Sequence, residues 1–204
     1  MTDKINEKSG VLLQGHIKIF DPESGKIIVD KRNAIHYENM SISLAESIGN
    51  AGQGWIYEMA LGNGGTSVDP TGIITYLTPN STGTNASLYN QTYTKVVDDK
   101  SINNLDPVRN KIETRHVSGT NYTDVLVTCL LDYGEPSGQD AFDTATDNNS
   151  LYVFDELGLK SYSPDGSGRL LTHVVFHPVQ KSLNRLIQID YTVRVQSLTG
   201  FNEE

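Results

Sequence analysis

Residues 58–70 read Glu-Met-Ala-Leu-Gly-Asn-Gly-Gly-Thr-Ser-Val-Asp-Pro, and they hold the pattern with the most obvious chemical potential. Gly62, Asn63, Gly64 and Gly65 follow a short apolar run at 55–61. Glycine and asparagine adopt positive φ at little steric cost, so such a turn can bring backbone groups close to a bound anion. A phosphate loop, however, needs a lysine followed by Ser or Thr after its last glycine, and then a helix. Here Thr66, Ser67, Val68 and Pro70 follow instead. No βαβ unit surrounds the turn, so the dinucleotide fingerprint fails as well. The stretch reads as a strand-ending turn that launches a long excursion over residues 66–110 and aims it at a neighbouring subunit.

The remaining reactive residues do not assemble into a catalytic set. The histidines are His16, His36, His116, His173 and His177, and none sits in an HExxH pattern. His173 and His177 fall in a predicted strand, where positions four apart lie roughly 13 Å apart, too far to share a metal. His36, beside Tyr37 and Glu38, suits packing and hydrogen bonding better than catalysis. Asp98-Asp99 and the acidic loop at 140–147 lack the EF-hand spacing and read as turn-forming. No Gly-x-Ser-x-Gly elbow occurs. The one cysteine, Cys129, lies in the apolar run 125–131 and reads as a buried small hydrophobe. No catalytic residue, metal or cofactor is assigned.

Composition narrows the function classes. The chain has 204 residues, 37% hydrophobic and 20% charged, with a net charge of −9. That acidity, without a Lys/Arg cluster, argues against binding nucleic acid through phosphates. The apolar runs fall short of the ~20 residues of a membrane helix, and the polar start has no secretory core.

These residues must be positioned by strands. Residues 11–20 alternate, with Val11, Leu13, Ile17 and Ile19 on one side, then turn at 21–25 into a second strand at 26–30. Met40, Leu44 and Ile48 share one face of a predicted helix, with Asn39 as N-cap and Gly49 as its stop. Within the excursion, strand-like pieces occur at 73–77 and 93–97, separated by a segment without period. Its apolar residues predict a loop ordered by contact with another subunit, with Tyr76, Leu88, Tyr89 and Tyr93 as candidate contacts. Further strands are predicted at 111–117, 122–133, 151–159 and 170–177, the last closed by Pro178 and followed by a connection at 181–185. Residues 187–196 alternate strictly. About eight strands and one helix predict a mainly β fold, an antiparallel β-sandwich of jelly-roll-like form with a long ordered loop. One domain spans 10–200, flanked by a mobile arm at 1–9 and a tail at 201–204.

The layout carries a resemblance. Residues 31–40 (Lys-Arg-Asn-Ala-Ile-His-Tyr-Glu-Asn-Met), the short helix, Met59-Ala-Leu-Gly-Asn-Gly-Gly-Thr66 and then Thr71-Gly-Ile-Ile-Thr-Tyr-Leu77 resemble tailed-bacteriophage minor virion proteins. The resemblance covers residues 11–97. It implies a non-enzymatic structural part of the neck or collar, tail or baseplate, located in the virion and made in the host cytoplasm. Partners would be copies of itself in a ring or trimer and other virion proteins. Two alternatives are a capsid decoration protein and a carbohydrate-binding receptor module that stacks host glycans on Trp55 and the ten tyrosines. Against the latter, Trp55 opens an apolar strand and is expected in the core.

Overall fold

A computed structural model describes residues 10–136 and 151–198. The predicted N-terminal arm, C-terminal tail and acidic loop at 140–147 lie outside these residues. The chain is mainly β: twelve strands and one helix occur among the described residues. One sheet has the order β2 (Ile27–Arg32), β1 (Gly10–Phe20), β12 (Ile187–Leu198), β9 (Tyr122–Leu131), β8 (Lys111–His116). The other has the order β3 (Ala34–Ile35), β11 (Thr172–Ser182), β10 (Leu151–Ser161), β4 (Ile56–Gly62), β7 (Gln91–Val96). A separate hairpin joins β5 (Thr66–Val68) to β6 (Ile74–Tyr76).

The strand pairings are antiparallel, and the alternation read from the sequence decides which side chains turn inward. Ile17 and Ile19 of β1 meet Ile187, Ile189, Tyr191 and Val193 of β12 and Val127, Cys129 and Leu131 of β9. Facing them from the second sheet are Met59 and Leu61 of β4, Phe154, Leu157 and Leu159 of β10, and Val174 and Phe176 of β11. Each fully buried aliphatic or aromatic side chain stabilises by about 1.5–3 kcal/mol, so this inter-sheet layer carries the fold. Val11 is an exception, lying near the strand end and largely exposed.

The twelve strands exceed the eight or so expected, the short β3 and β5 among the additions; several ends shift by a few residues, and two boundaries differ for reasons the contacts make plain. The helix α1 spans Tyr37–Ile48, and its N-cap is His36 rather than Asn39. The His36 ring accepts the Asn39 N–H at 3.2 Å, while the Asn39 amide turns into the core and donates to the Leu170 carbonyl at 2.9 Å. Ile48, placed on the apolar face by spacing, is exposed. The second difference is at Pro178, which does not end a strand: β11 continues to Ser182, into the predicted connection. Proline removes one ladder donor, and the β10–β11 register shifts there, with Phe154 opposite Val179 but Glu156 opposite Val175.

Candidate functional site

The β10–β11 irregularity and the glycine turn belong together. Asp155 lies within the register shift, next to Glu156, and both carboxylates meet the turn. Gly65 N–H donates to Asp155 Oδ1 at 2.9 Å and Thr66 N–H to Asp155 Oδ2 at 2.9 Å, with the Thr66 hydroxyl donating to the same oxygen. Glu156 Oε1 accepts Gly64 N–H at 3.1 Å and Asn90 N–H at 2.8 Å; Oε2 accepts Tyr89 N–H at 2.9 Å. His173 completes the set at 2.9 Å from Oε2. The turn does cradle an anion, and the anion comes from the protein itself.

Electrostatics separate the two acids. Burial pushes the Asp155 carboxyl up, and its bonds to Thr66 and Gly65 only partly offset that. Burial also pushes Glu156 up, but the His173 bond and the Asn90, Tyr89 and Gly64 N–H groups outweigh it and hold this carboxyl below its ordinary value. The Asn80 N–H donates to His173 Nδ1 at 2.8 Å, so the imidazole carries its proton on Nε2 and donates it to Glu156. Glu156 and His173 are both 0% exposed.

The glycines serve close approach rather than unusual dihedrals. None of Gly62, Asn63, Gly64 and Gly65 has positive φ, contrary to the expectation from composition. A Cβ on Gly62 would stand 2.3 Å from the Asn90 carbonyl oxygen and 2.6 Å from Glu156 Oε1. One on Gly64 would stand 2.7 Å from the Asn90 nitrogen, and one on Gly65 3.0 Å from Val175 Cγ1. The sequence trace of this cluster was a pair of adjacent acids inside the otherwise apolar run 151–159, a pattern that composition alone does not connect to a turn ninety residues earlier.

The candidate contact residues separate into two groups. Leu88 is 4% exposed within one chain, packed with Ala60 and Leu170. Tyr93 leans on the main core and meets Tyr152 edge-on. These two are taken up by their own chain. Tyr89 is partly exposed; its hydroxyl donates to the Thr78 carbonyl, and its ring lies against His173. Tyr76 is also partly exposed and pairs with His177 Nδ1 at 3.2 Å. His173 and His177, four apart on β11, thus serve different neighbours. The 78–90 segment is held within its own chain through Asn80, Tyr89 and Asn90.

What the excursion turns outward is apolar. Val68 and Ile73 of the 66–77 hairpin are 62% and 63% exposed. In the strap at 98–110, Ile102 and Leu105 are each 97% exposed and Val108 78%. Two amides of the strap point the other way. Asn104 donates to the carbonyls of Asp98 and Asn110, and Asn110 accepts Leu130 N–H at 2.9 Å. Asp106 binds Arg109, which also reaches Asp132. The strap is fixed by its buried amides with its hydrophobes held in solvent.

Beside the strap, a groove of about 840 Å³ opens between β4 of one sheet and β8–β9 of the other. Trp55 stacks on Tyr162 at 4.6 Å and 10°, and Tyr57 meets Tyr162 edge-on at 5.1 Å. Trp55 is 38% exposed, so it is not the core residue its position suggested. It sits just before β4 begins, at the rim of the sandwich rather than inside it.

The chain matches no protein-family model, and comparison with curated proteins and with solved structures likewise finds no match. Among the described residues, no helix is long and apolar enough to cross a membrane, and no group of three or more His, Cys, Asp or Glu could hold a metal ion.

Proposed function

We propose that the chain is a non-enzymatic structural component of a tailed-bacteriophage virion, in the neck or collar, tail or baseplate region. It assembles through contacts between copies of itself and with neighbouring virion proteins. The observation that carries this reading is the inverted polarity of the 66–110 excursion. Its amides are drawn inward at Asn104 and Asn110 and its turn is tied to the buried Asp155 and Glu156 of β10, while Val68, Ile73, Ile102, Leu105 and Val108 face solvent. Large exposed apolar side chains on a pre-ordered loop favour association, because each one buried in a contact gains about 1.5–3 kcal/mol and little ordering entropy remains to be lost. The resemblance of residues 11–97 to phage minor virion proteins supplies the setting.

The test is the oligomeric state of the purified protein by light scattering, for wild type and for the Ile102→Asp/Leu105→Asp double variant. The reading expects a defined oligomer that the double variant converts to monomer. A monomeric wild type at all concentrations, which also fails to bind purified particles, would count against it. Decoration of the capsid is the nearest alternative, and copy number per particle separates it from a ring at the neck or tail.

A further inference from the structure

We propose that the groove walled by Trp55, Tyr57 and Tyr162 is a binding site for an oligosaccharide. One wall of the groove is the strap itself, residues 98–103 with Ile102 among them, and the inference rests on three features of the groove that do not draw on the assembly role. First, its aromatic rings are pre-positioned. The Trp55 indole donates to Asp98 Oδ2 at 3.0 Å, and the Tyr57 hydroxyl is held by Ser101 at 3.3 Å and by the Asn103 amide at 3.0 Å. Rings fixed in advance lose little freedom when a ligand stacks on them.

Second, the floor is apolar where the two sheets part, formed by Ile56, Ile112 and Val125, while the rim is polar. Among the described residues, the side chains of Asp99, Lys100 and Thr114 have no hydrogen-bond partner and line the same groove. A pyranose ring has a C–H face that stacks on an aromatic surface, and hydroxyls at its edge that both donate and accept. A carboxylate, an ammonium and a hydroxyl around an aromatic wall match those two requirements together. A proline-rich segment also docks on Trp and Tyr, but it offers few N–H donors and would leave the Asp99 carboxylate unmatched.

Third, the volume of about 840 Å³ fits a few sugar units rather than a single small ion.

Trp55 is the only tryptophan in the chain, so its emission reports on this groove alone. The experiment titrates the full-length protein with a glycan panel of N-acetylglucosamine oligomers, maltohexaose and bacterial surface oligosaccharides. A proline-rich peptide is run alongside. The expected result is a saturable shift of Trp55 emission with at least one glycan, at a Kd of about 10 µM to 1 mM. By calorimetry, Tyr162→Ala and the surface variant Asn103→Ala should each weaken that binding about tenfold or more. Leu105→Asp lies outside the groove lining and should leave glycan affinity unchanged even where it abolishes assembly, which keeps the two proposals separable. No response to any glycan, a response to the peptide only, or binding indifferent to both groove variants in folded protein would overturn the proposal.

Discussion

The Glu156 carboxylate and the His173 imidazole meet at 2.9 Å with both side chains wholly buried. The far side of the ring accepts the Asn80 N–H at 2.8 Å. One contact between β10 and β11 thereby reaches the loop that begins the second half of the excursion. Through its other bonds, to Gly64, Tyr89 and Asn90, the same carboxylate ties down the glycine turn and the start of β7. The turn, the loop and the sheet are fixed relative to one another by a single acid.

Replacing that acid should loosen all three. Glu156→Gln keeps the shape but offers one acceptor oxygen where two oxygens now take four donors, so buried N–H groups are left opposed to an NH₂. The expected loss is about 2–4 kcal/mol in chemical denaturation. Hydrogen exchange at the Tyr89 and Asn90 amides should rise ahead of exchange in β12. Unchanged stability and exchange would mean that the cradle does not hold the loop.

Glycine substitutions distinguish close approach from dihedral freedom. Gly62→Ala puts a methyl group 2.3 Å from the Asn90 carbonyl oxygen and should cost about 1–3 kcal/mol by overpacking. Gly72 has open space around it but a φ of 87°, so Gly72→Ala should cost only about 1 kcal/mol, through backbone strain. Thermal unfolding of the two variants checks the order; equal losses, or a larger one at Gly72, would contradict the packing account.

The buried thiol predicts a pH dependence. Burial pushes Cys129 from 9.0 up to about 12. Between those values the unfolded chain has released a proton that the folded chain keeps, so stability falls as pH rises, by up to about 1.4 kcal/mol per pH unit for this group. Burial of Tyr93, Tyr152 and Tyr191 acts in the same direction. Lys181, held down at about 8 by burial, acts in the opposite direction between 8 and 10.5. Comparison with Cys129→Ala cancels these shared contributions. Denaturation curves from pH 8.5 to 11 should show a shallower decline in the variant, and parallel declines would refute the assignment to Cys129.

The strands were legible wherever one face is buried and the other wet. The hairpin of β1 and β2 and the ten-residue alternation within β12 could be read directly, because period two survives in the side chains. The helix start was misread because Asn39 has a better partner in the core than at the cap, and capping preference cannot sense a carbonyl at Leu170. Pro178 was read as a stop because its missing N–H breaks a ladder locally, while the strand resumes beyond it. The candidate site was least legible. Gly64, Asn90, Glu156 and His173 come from four separate stretches, and no spacing rule links them. Trp55 was misassigned for a similar reason: an apolar neighbourhood in sequence does not reveal whether a residue sits inside the sandwich or at its open rim.

The strap offers a surface prediction. Ile102 and Leu105 contact little of their own chain, so Ile102→Asp/Leu105→Asp should leave unfolding free energy within about 0.5 kcal/mol of wild type. A large loss of stability would mean these side chains support the fold rather than an interface.

The central claim, a structural place in a virion, is tested most directly by cryo-electron microscopy of purified intact particles with mass-spectrometric counting of this chain. The account predicts a fixed, symmetric copy number, with the 66–110 excursion buried against a neighbouring subunit. Absence of the chain from purified particles, or its presence with Ile102 and Leu105 open to solvent, would contradict it.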